Sequence, residues 1–204
     1  MKTIVHRWLA EQIREGCEDR LPVRFHARWF SLGNVLPDFS HHRLRLHEEA
    51  ASGTAVAHAI VRLCHWGVRS DRMLSRWYSL RLGMLAHYIS DFMCYAHSPA
   101  FEGTLREHRA YEAAQADAME DGACFCPVPS LTVAEEGEAL ARSLLQAVRS
   151  RPAGSYAPAL DLDYAASMST ELVTAMLRIC MTRQAACWWN HLPVARRRYL
   201  SRTA

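Results

Sequence analysis

The chain has 204 residues; half of them are hydrophobic and 22% are charged, a balance that excludes a disordered protein and suits one folded domain over residues 1–204. A net charge of +3 gives no electrostatic argument for a nucleic acid or an anionic membrane as partner. No apolar run approaches the roughly 20 residues that span a bilayer, and the first residues lack the apolar segment of a secretory signal. These features predict a cytoplasmic protein with no transmembrane segment.

Hydrophobic residues recur at three- and four-residue spacing through most of the chain, and no alternating pattern predicts a strand. The sequence therefore predicts an all-α fold, a multi-helix bundle. Gly33 and Pro37 interrupt the apolar segment 28–40, which we interpret as a loop with short helical turns. Ser70 and the T-x-x-E pattern of Thr132 and Glu135 are predicted to cap helices. The predicted helices cover about residues 3–15, 48–68, 71–96, 105–119, 132–148 and 160–189.

The histidines of the chain indicate metal binding more strongly than its cysteines do. Seven cysteines are an odd number without paired spacings, so reduced thiols are expected. Cys124 and Cys126 form a C-x-C pattern, but no second cysteine pair completes a four-ligand metal site, and two ordinary cysteines are the favoured interpretation. Eleven histidines are the stronger indication of metal binding, because neutral imidazole is a common metal ligand.

Two histidine–acid pairs stand out on consecutive predicted helices. His87 and Asp91 are four residues apart, and His108 and Glu112 repeat that spacing, so each pair shares one helix face. An imidazole and a carboxylate placed together in this way can bind one divalent ion. His97 lies between the pairs and, on an ideal helix, points about 80° away from His87, which suits a second, neighbouring ion.

These residues lie within a longer block that resembles a known family. The order H-x3-D-x5-H followed by H-x3-E, within LGMLAHYISDFMCYAH and EHRAYEAA, is similar to that of the zinc-dependent phospholipase C family, whose relatives include the S1/P1 nucleases. VHRW and LGNVLPD nearer the start resemble two further segments of that family. The resemblance spans residues 6 to 112, and it implies an all-α multi-helix bundle of the phospholipase C/P1 nuclease type.

The resemblance also implies a cluster of up to three zinc ions. Asp38, His87 and Asp91 would bind the first ion together with one more histidine. The histidines at 41, 42 and 47 are all candidates for that ligand, and His47 is favoured because it lies where a helix is predicted to begin. The residues assigned to the metals are thus His6, Asp38, His47, His87, Asp91, His97, His108 and Glu112.

Four of these residues are assigned to the other two ions. His97, His108 and Glu112 would bind the second ion, and His6 would reach the third, with Asp91 as a bridge. Secreted members of the family supply an amino-terminal amine as a further ligand. Here the amine of Met1, five residues before His6, is the candidate substitute.

The implied activity is zinc-dependent hydrolysis of a phosphodiester by metal-activated water, with Asp38 as ligand and general base. A glycerophospholipid would give diacylglycerol and a phosphorylated headgroup, through a transient contact with the membrane surface. A nuclease or another small-phosphodiester hydrolase on the same cluster is the alternative, and a metal-binding protein without catalysis is the third interpretation. The aromatic residues that suit either substrate are Trp29, Phe30, Tyr88 and Tyr95.

Overall fold

A computed structural model of the chain describes residues 1–39, 47–66, 68, 73–119, 131, 136–151 and 156–191, the last four by their backbone alone. This part of the chain contains helices and no strand, apart from one isolated bridge between Arg24 and Met73. The α-helices are α1 (Thr3–Arg20), α2 (Ala27–Val35), α3 (Glu49–Cys64), α4 (Arg76–Phe92), α5 (Leu105–Ala118), α6 (Gly137–Arg149) and α7 (Pro158–His191). Two 3₁₀-helices cover Leu36–Phe39 and Tyr95–His97. The predicted all-α fold is confirmed.

The segment around Gly33 differs from its prediction as a loop, because residues 27–35 form the regular helix α2. A Cβ atom at Gly33 would lie 2.1 Å from the carbonyl oxygen of Leu80, and one at Gly83 would lie 2.1 Å from that of Phe30. The two glycines therefore let the backbones of α2 and α4 touch. Gly33 thus allows α2 to cross α4 closely and does not break α2. Pro37 lies after the end of α2, in the first 3₁₀-helix.

Helix α4 is shorter than predicted at both ends. It begins at Arg76, where the hydroxyl of Ser75 accepts a hydrogen bond from the amide of Tyr78; the predicted cap Ser70 lies outside the described residues. It ends at Phe92, because the amide of Tyr95 donates to the carboxylate of Asp161 at 2.8 Å and the chain turns into the second 3₁₀-helix. His97 is therefore not on α4, and the angle predicted from an ideal helix does not apply.

The remaining helices follow their predicted positions more closely. Helix α5 begins after a capping box, in which Thr104 accepts from the amide of Glu107 and the Glu107 carboxylate accepts from the amide of Thr104. The capping pattern at Thr132 and Glu135 lies outside the described residues. Among the described cysteines there is no disulfide, and the C-x-C pair also falls outside that part of the chain.

The core lies where α1, α2, α4 and α7 pack against one another, and α3 and α6 form an adjoining pair. Fully buried side chains from three helices meet there, among them Leu9 and Ile13 on α1, Leu82 on α4, and Met168 and Leu172 on α7. This arrangement encloses α4, so its polar residues His87 and Asp91 are buried as well. No helix in the described residues is long and apolar enough to cross a membrane.

Candidate metal centre

His87 is oriented by the backbone of α2. Its Nδ1 lies 2.8 Å from the carbonyl oxygen of Asn34, and because a carbonyl only accepts, Nδ1 donates and Nε2 presents its lone pair to the centre. Nε2 lies 3.1 Å from Nδ1 of His47 and 3.8 Å from the Asp38 carboxylate. Burial lowers the pKa of His87 well below its ordinary value, which keeps the imidazole neutral. A neutral imidazole with its lone pair exposed is the form that binds metal.

The carboxylate of Asp91 is the centre of the arrangement and has no solvent exposure. Its Oδ1 lies 2.8 Å from the amino nitrogen of Met1 and 3.3 Å from Nε2 of His6, while Oδ2 contacts His47 and lies 3.3 Å from Nε2 of His87. Burial acts to raise the pKa of Asp91, but the Met1 ammonium and the imidazoles around it hold that pKa well below its usual range. Asp91 is therefore a buried anion ringed by nitrogen atoms.

His6 has no satisfactory partner in the described residues. It is fully buried on α1, its ring stacks on that of His87 with centroids 3.9 Å apart, and neither ring nitrogen makes a hydrogen bond. A buried polar group without a partner is costly, typically by about 1–3 kcal/mol. A cation between His6 and Asp91 would satisfy both the orphaned nitrogen and the carboxylate.

A second group lies at the start of α5 and on the second 3₁₀-helix. Oε1 of Glu112 is 3.1 Å from Nε2 of His108 and 3.5 Å from Nε2 of His97. Burial acts to raise the pKa of Glu112, but hydrogen bonds from His108 and His97 hold it well below the ordinary value. Burial also lowers the pKa of His97. This group again combines an ionised carboxylate with a neutral imidazole, that of His97.

The amino nitrogen of Met1 lies between the two groups. It is 2.8 Å from Asp91, 3.1 Å from Oε1 of Glu112 and 3.0 Å from Nε2 of His97. Although burial acts to lower the pKa of this amine, nearby negative charge, above all that of Asp91, raises it to about 11. The amine thus occupies, as a cation, the place where acidic and imidazole side chains converge.

All eight residues selected from the sequence come together in space. Their donor atoms form three groups, each able to hold a metal ion, with the donors of a group within 4.8 Å of one another: His6, His87 and Asp91; Asp38, His47 and His87; and His97, His108 and Glu112. The alternatives His41 and His42 lie outside the described residues. The described histidines His26, His58 and His65 belong to none of the groups.

Two of the groups contribute residues to the lining of a cleft with a volume of about 600 Å³: Asp38 and His47 from one, and His97, His108 and Glu112 from another. Its polar wall includes Asp38, His97 and Glu112, and Lys2 and Arg109 add positive charge. Its lining also includes exposed apolar side chains, namely Ile4, Phe39 and Leu105. The cleft thus joins the acidic and imidazole groups to an apolar rim.

Sequence reasoning did not identify the groups that orient these side chains. Thr3 donates its hydroxyl to Oδ2 of Asp38 at 2.9 Å, and the Asn34 carbonyl orients His87. Asp161 holds the backbone just before His97. These contacts join residues 35 to 66 positions apart, so no local spacing pattern could reveal them.

Comparison with known protein families gives a match over much of the chain. The family model for zinc-dependent phospholipase C matches residues 5–143, which is more than half of the chain and contains all eight residues of the three groups. No curated protein and no solved structure matches the chain significantly. The resemblance found in the sequence is confirmed, and the chain belongs to the zinc-dependent phospholipase C family.

Proposed function

We propose that the chain is a zinc-dependent phosphodiester hydrolase that cleaves a glycerophospholipid to diacylglycerol and a phosphorylated headgroup. The observation that carries this proposal is the proximity of three possible metal-binding groups, two of which contribute residues to the lining of one cleft. The orphaned nitrogens of His6 and the buried charge of Asp91 support a cation at this place. Neutral imidazole and carboxylate form the donor set that zinc prefers in catalytic sites.

The proposed assignment follows the geometry of the groups. Asp38, His47, His87 and Asp91 would hold the first zinc ion. His6 would hold a third ion that shares Asp91, with the Met1 amine as a further donor once it has lost its proton. The second ion would be held by His97, His108 and Glu112. Bound zinc ions polarise the phosphoryl oxygens and lower the pKa of water towards neutrality.

Asp38 is the proposed catalytic residue, because its carboxylate is part-exposed in the lining of the cleft. The Thr3 hydroxyl holds its Oδ2, and its Oδ1 faces His87. In the proposed reaction the oxygen of a water forms a bond to phosphorus, Asp38 accepts the proton of that water, and the bond from phosphorus to the glycerol oxygen breaks. The leaving glycerol oxygen takes up a proton from solvent and Asp38 later returns its own proton to solvent, so charge and atoms balance. Lys2 and Arg109 would attract the anionic phosphate of the substrate.

The apolar rim favours a phospholipid over a nucleic acid. Ile4, Phe39 and Leu105 are between 53% and 61% exposed beside the polar wall, which suits acyl chains or a membrane surface next to a phosphodiester. Stacking of bases needs exposed aromatic faces. Phe30 is buried, and Trp29, Tyr88 and Tyr95 do not line the described cleft, so Phe39 is the one such face in its lining. A transient membrane contact through this rim is part of the proposal.

The test uses zinc-loaded protein with phosphatidylcholine vesicles and, in parallel, single-stranded DNA. We expect release of diacylglycerol and phosphocholine and no cleavage of the DNA. Asp38→Asn is expected to lower turnover by at least about 100-fold, the usual range for loss of a general base. The matched control is Asp117→Asn, an exposed carboxylate on α5 outside the groups, which should retain turnover.

Each alternative has its own outcome in this assay. Normal turnover by Asp38→Asn removes Asp38 from the catalytic role. Cleavage of DNA without turnover of phospholipid supports the nuclease. Bound zinc without turnover of either substrate supports a metal-binding protein that lacks catalysis. Phe39→Ser tests the rim separately: it should reduce turnover on vesicles and leave turnover of a short-chain, monomeric phospholipid unchanged.

A further inference from the structure

A buried ion pair lies behind the second donor group, in the part of the chain that follows the family match. Asp161 is in the first turn of α7 and has no solvent exposure, and its Oδ1 accepts a hydrogen bond from the guanidinium of Arg151 at 2.7 Å. Both residues lie beyond residues 5–143 and outside all three donor groups. The guanidinium packs over the rings of Tyr156 and Tyr164, at 4.4 and 4.3 Å from their centroids.

The other oxygen of Asp161 joins two elements that carry donors. Oδ2 accepts from the amide of Tyr95 at 2.8 Å and from the hydroxyl of Tyr111 at 2.8 Å. The side-chain amide of Gln115 donates to the same oxygen at 3.3 Å. Tyr95 opens the 3₁₀-helix that ends in His97, whereas Tyr111 and Gln115 are on α5. One carboxylate therefore connects the two segments that form the second group.

Arg151 extends the connection to the end of α4. Its guanidinium donates to the carbonyl oxygen of Met93, one residue after that helix ends and two residues after Asp91. The pair thus contacts the turn between Asp91 and His97 from one side and α5 from the other. Each residue of the pair has several polar partners, which a buried pair requires to offset its loss of hydration.

A hydrophobic core does not need such a pair, since well-packed apolar residues often stabilise a fold equally well. A buried charge with directed hydrogen bonds does specify geometry. His97 reaches the second group only because the chain leaves α4 at Phe92, and the amide of Tyr95 is satisfied by Asp161 at that turn. Without that acceptor, the distance between His97 and the pair His108 and Glu112 would be poorly defined.

We propose that Asp161, held by Arg151, is a positioning residue that sets the geometry of the second zinc site. This inference rests on the proposed function, because it assumes that His97, His108 and Glu112 bind zinc. Asp161 touches neither substrate nor metal in this account. It acts through the backbone at Tyr95 and through the Tyr111 hydroxyl.

The experiment measures zinc bound per chain during titration with a chelator of graded affinity, for the full-length wild type and three variants. Asp161→Asn keeps the shape of the side chain and removes its charge. Tyr111→Phe removes one donor to Asp161 and leaves the ion pair intact. The control is Thr174→Val, also buried on α7, which loses a hydrogen bond to Cys17 on α1.

We expect Asp161→Asn to weaken one zinc site by about 10–100-fold, the usual effect of losing an outer hydrogen-bond partner, while the zinc held with Asp91 stays bound. Tyr111→Phe should weaken the same site by a smaller factor. Thr174→Val should lower the thermal midpoint without changing zinc affinity. Cobalt substitution adds a second readout, because the absorption of the weakened site should shift in Asp161→Asn and not in Thr174→Val.

The outcomes separate the two proposals. A wild type that binds no zinc contradicts the proposed function and the positioning role with it. A wild type that binds zinc, with both Asp161→Asn and Tyr111→Phe retaining full affinity at every site, contradicts the positioning role alone. If Asp161→Asn does not fold, Tyr111→Phe decides: unchanged zinc affinity overturns the proposal, and selective weakening of one site supports it.

Discussion

The carbonyl oxygen of Asn34 lies 2.8 Å from Nδ1 of His87, which connects the last turn of α2 to the imidazole at the centre of the donor groups. This contact exists because Gly33 and Gly83 let the two backbones approach closely. Packing of α2 against α4 therefore determines which ring nitrogen of His87 is available. The crossing of α2 and α4 therefore contributes both to the packing of the fold and to the orientation of His87 in the candidate metal centre.

Gly83→Ala is expected to disrupt that crossing. The new Cβ would lie 2.1 Å from the carbonyl oxygen of Phe30, a backbone atom that no rotamer change can move away. We expect the free energy of unfolding to fall by about 3 kcal/mol, measured by urea denaturation, and zinc binding to weaken as His87 loses its orientation.

Gly53→Ala is the matched control for this prediction. Its Cβ would approach the carboxylate end of Glu49, which is a flexible side chain, and alanine has the higher helix propensity. The control should be neutral or slightly stabilising. Equal stability of Gly83→Ala and the wild type would contradict the close crossing.

Thr3→Val tests how Asp38 is held. The variant keeps the shape of the side chain and removes the hydroxyl that donates to Oδ2 of Asp38 at 2.9 Å. A hydrogen bond to a charged group contributes about 1.5–3 kcal/mol, so we expect kcat/KM to fall by roughly 10- to 100-fold with zinc content unchanged. Thr54→Val, at an exposed threonine of α3, is the control. Loss of zinc together with activity would instead mean that Thr3 supports the metal site as a whole.

Acid is expected to destabilise the metal-free protein in two steps. Burial lowers the pKa of His87 below its ordinary value of 6.5, so below that pH the unfolded chain binds a proton that the folded chain does not. Stability from this group is complete above pH 6.5 and decreases as the pH falls below it. Asp91, with a pKa lowered from 3.8, adds a second loss as the pH falls below that value.

Urea denaturation between pH 8 and pH 4 measures the first step. Each group that remains neutral in the folded state should contribute a slope of up to about 1.4 kcal/mol per pH unit. His87→Gln should reduce that slope between pH 6.5 and pH 5. A free energy of unfolding that does not change with pH in the wild type would show that the buried imidazole is not a neutral group.

Residue spacing in the sequence predicted the candidate metal ligands but not the residues that surround them. The pairs His87 with Asp91 and His108 with Glu112 are evident because a helix brings residues four apart onto one face. The interpretation of segment 28–40 failed because Gly33 acts through the backbone of α4, which is distant in sequence. A single sequence does not distinguish a glycine that ends a helix from a glycine that lets two helices cross closely.

The end of α4 was mispredicted for a related reason. The apolar pattern continues towards Ala96, but the amide of Tyr95 donates to Asp161, which lies 66 residues further along. The C-terminal half of the chain shows no evident chemistry in its sequence, and Asp161, which lies there, acts through other residues. Contacts of this kind depend on tertiary structure and have no signature in residue spacing.

The most direct test of the account is the zinc content of the purified protein and of two ligand variants. We expect roughly two or more zinc ions per chain in the wild type, with about one lost in His87→Ala and a different one lost in His108→Ala. His58→Ala, at an exposed histidine of α3 outside the donor groups, should retain the wild-type content. Less than about one zinc per chain, unchanged by loss of His87 or His108, would contradict the metal centre.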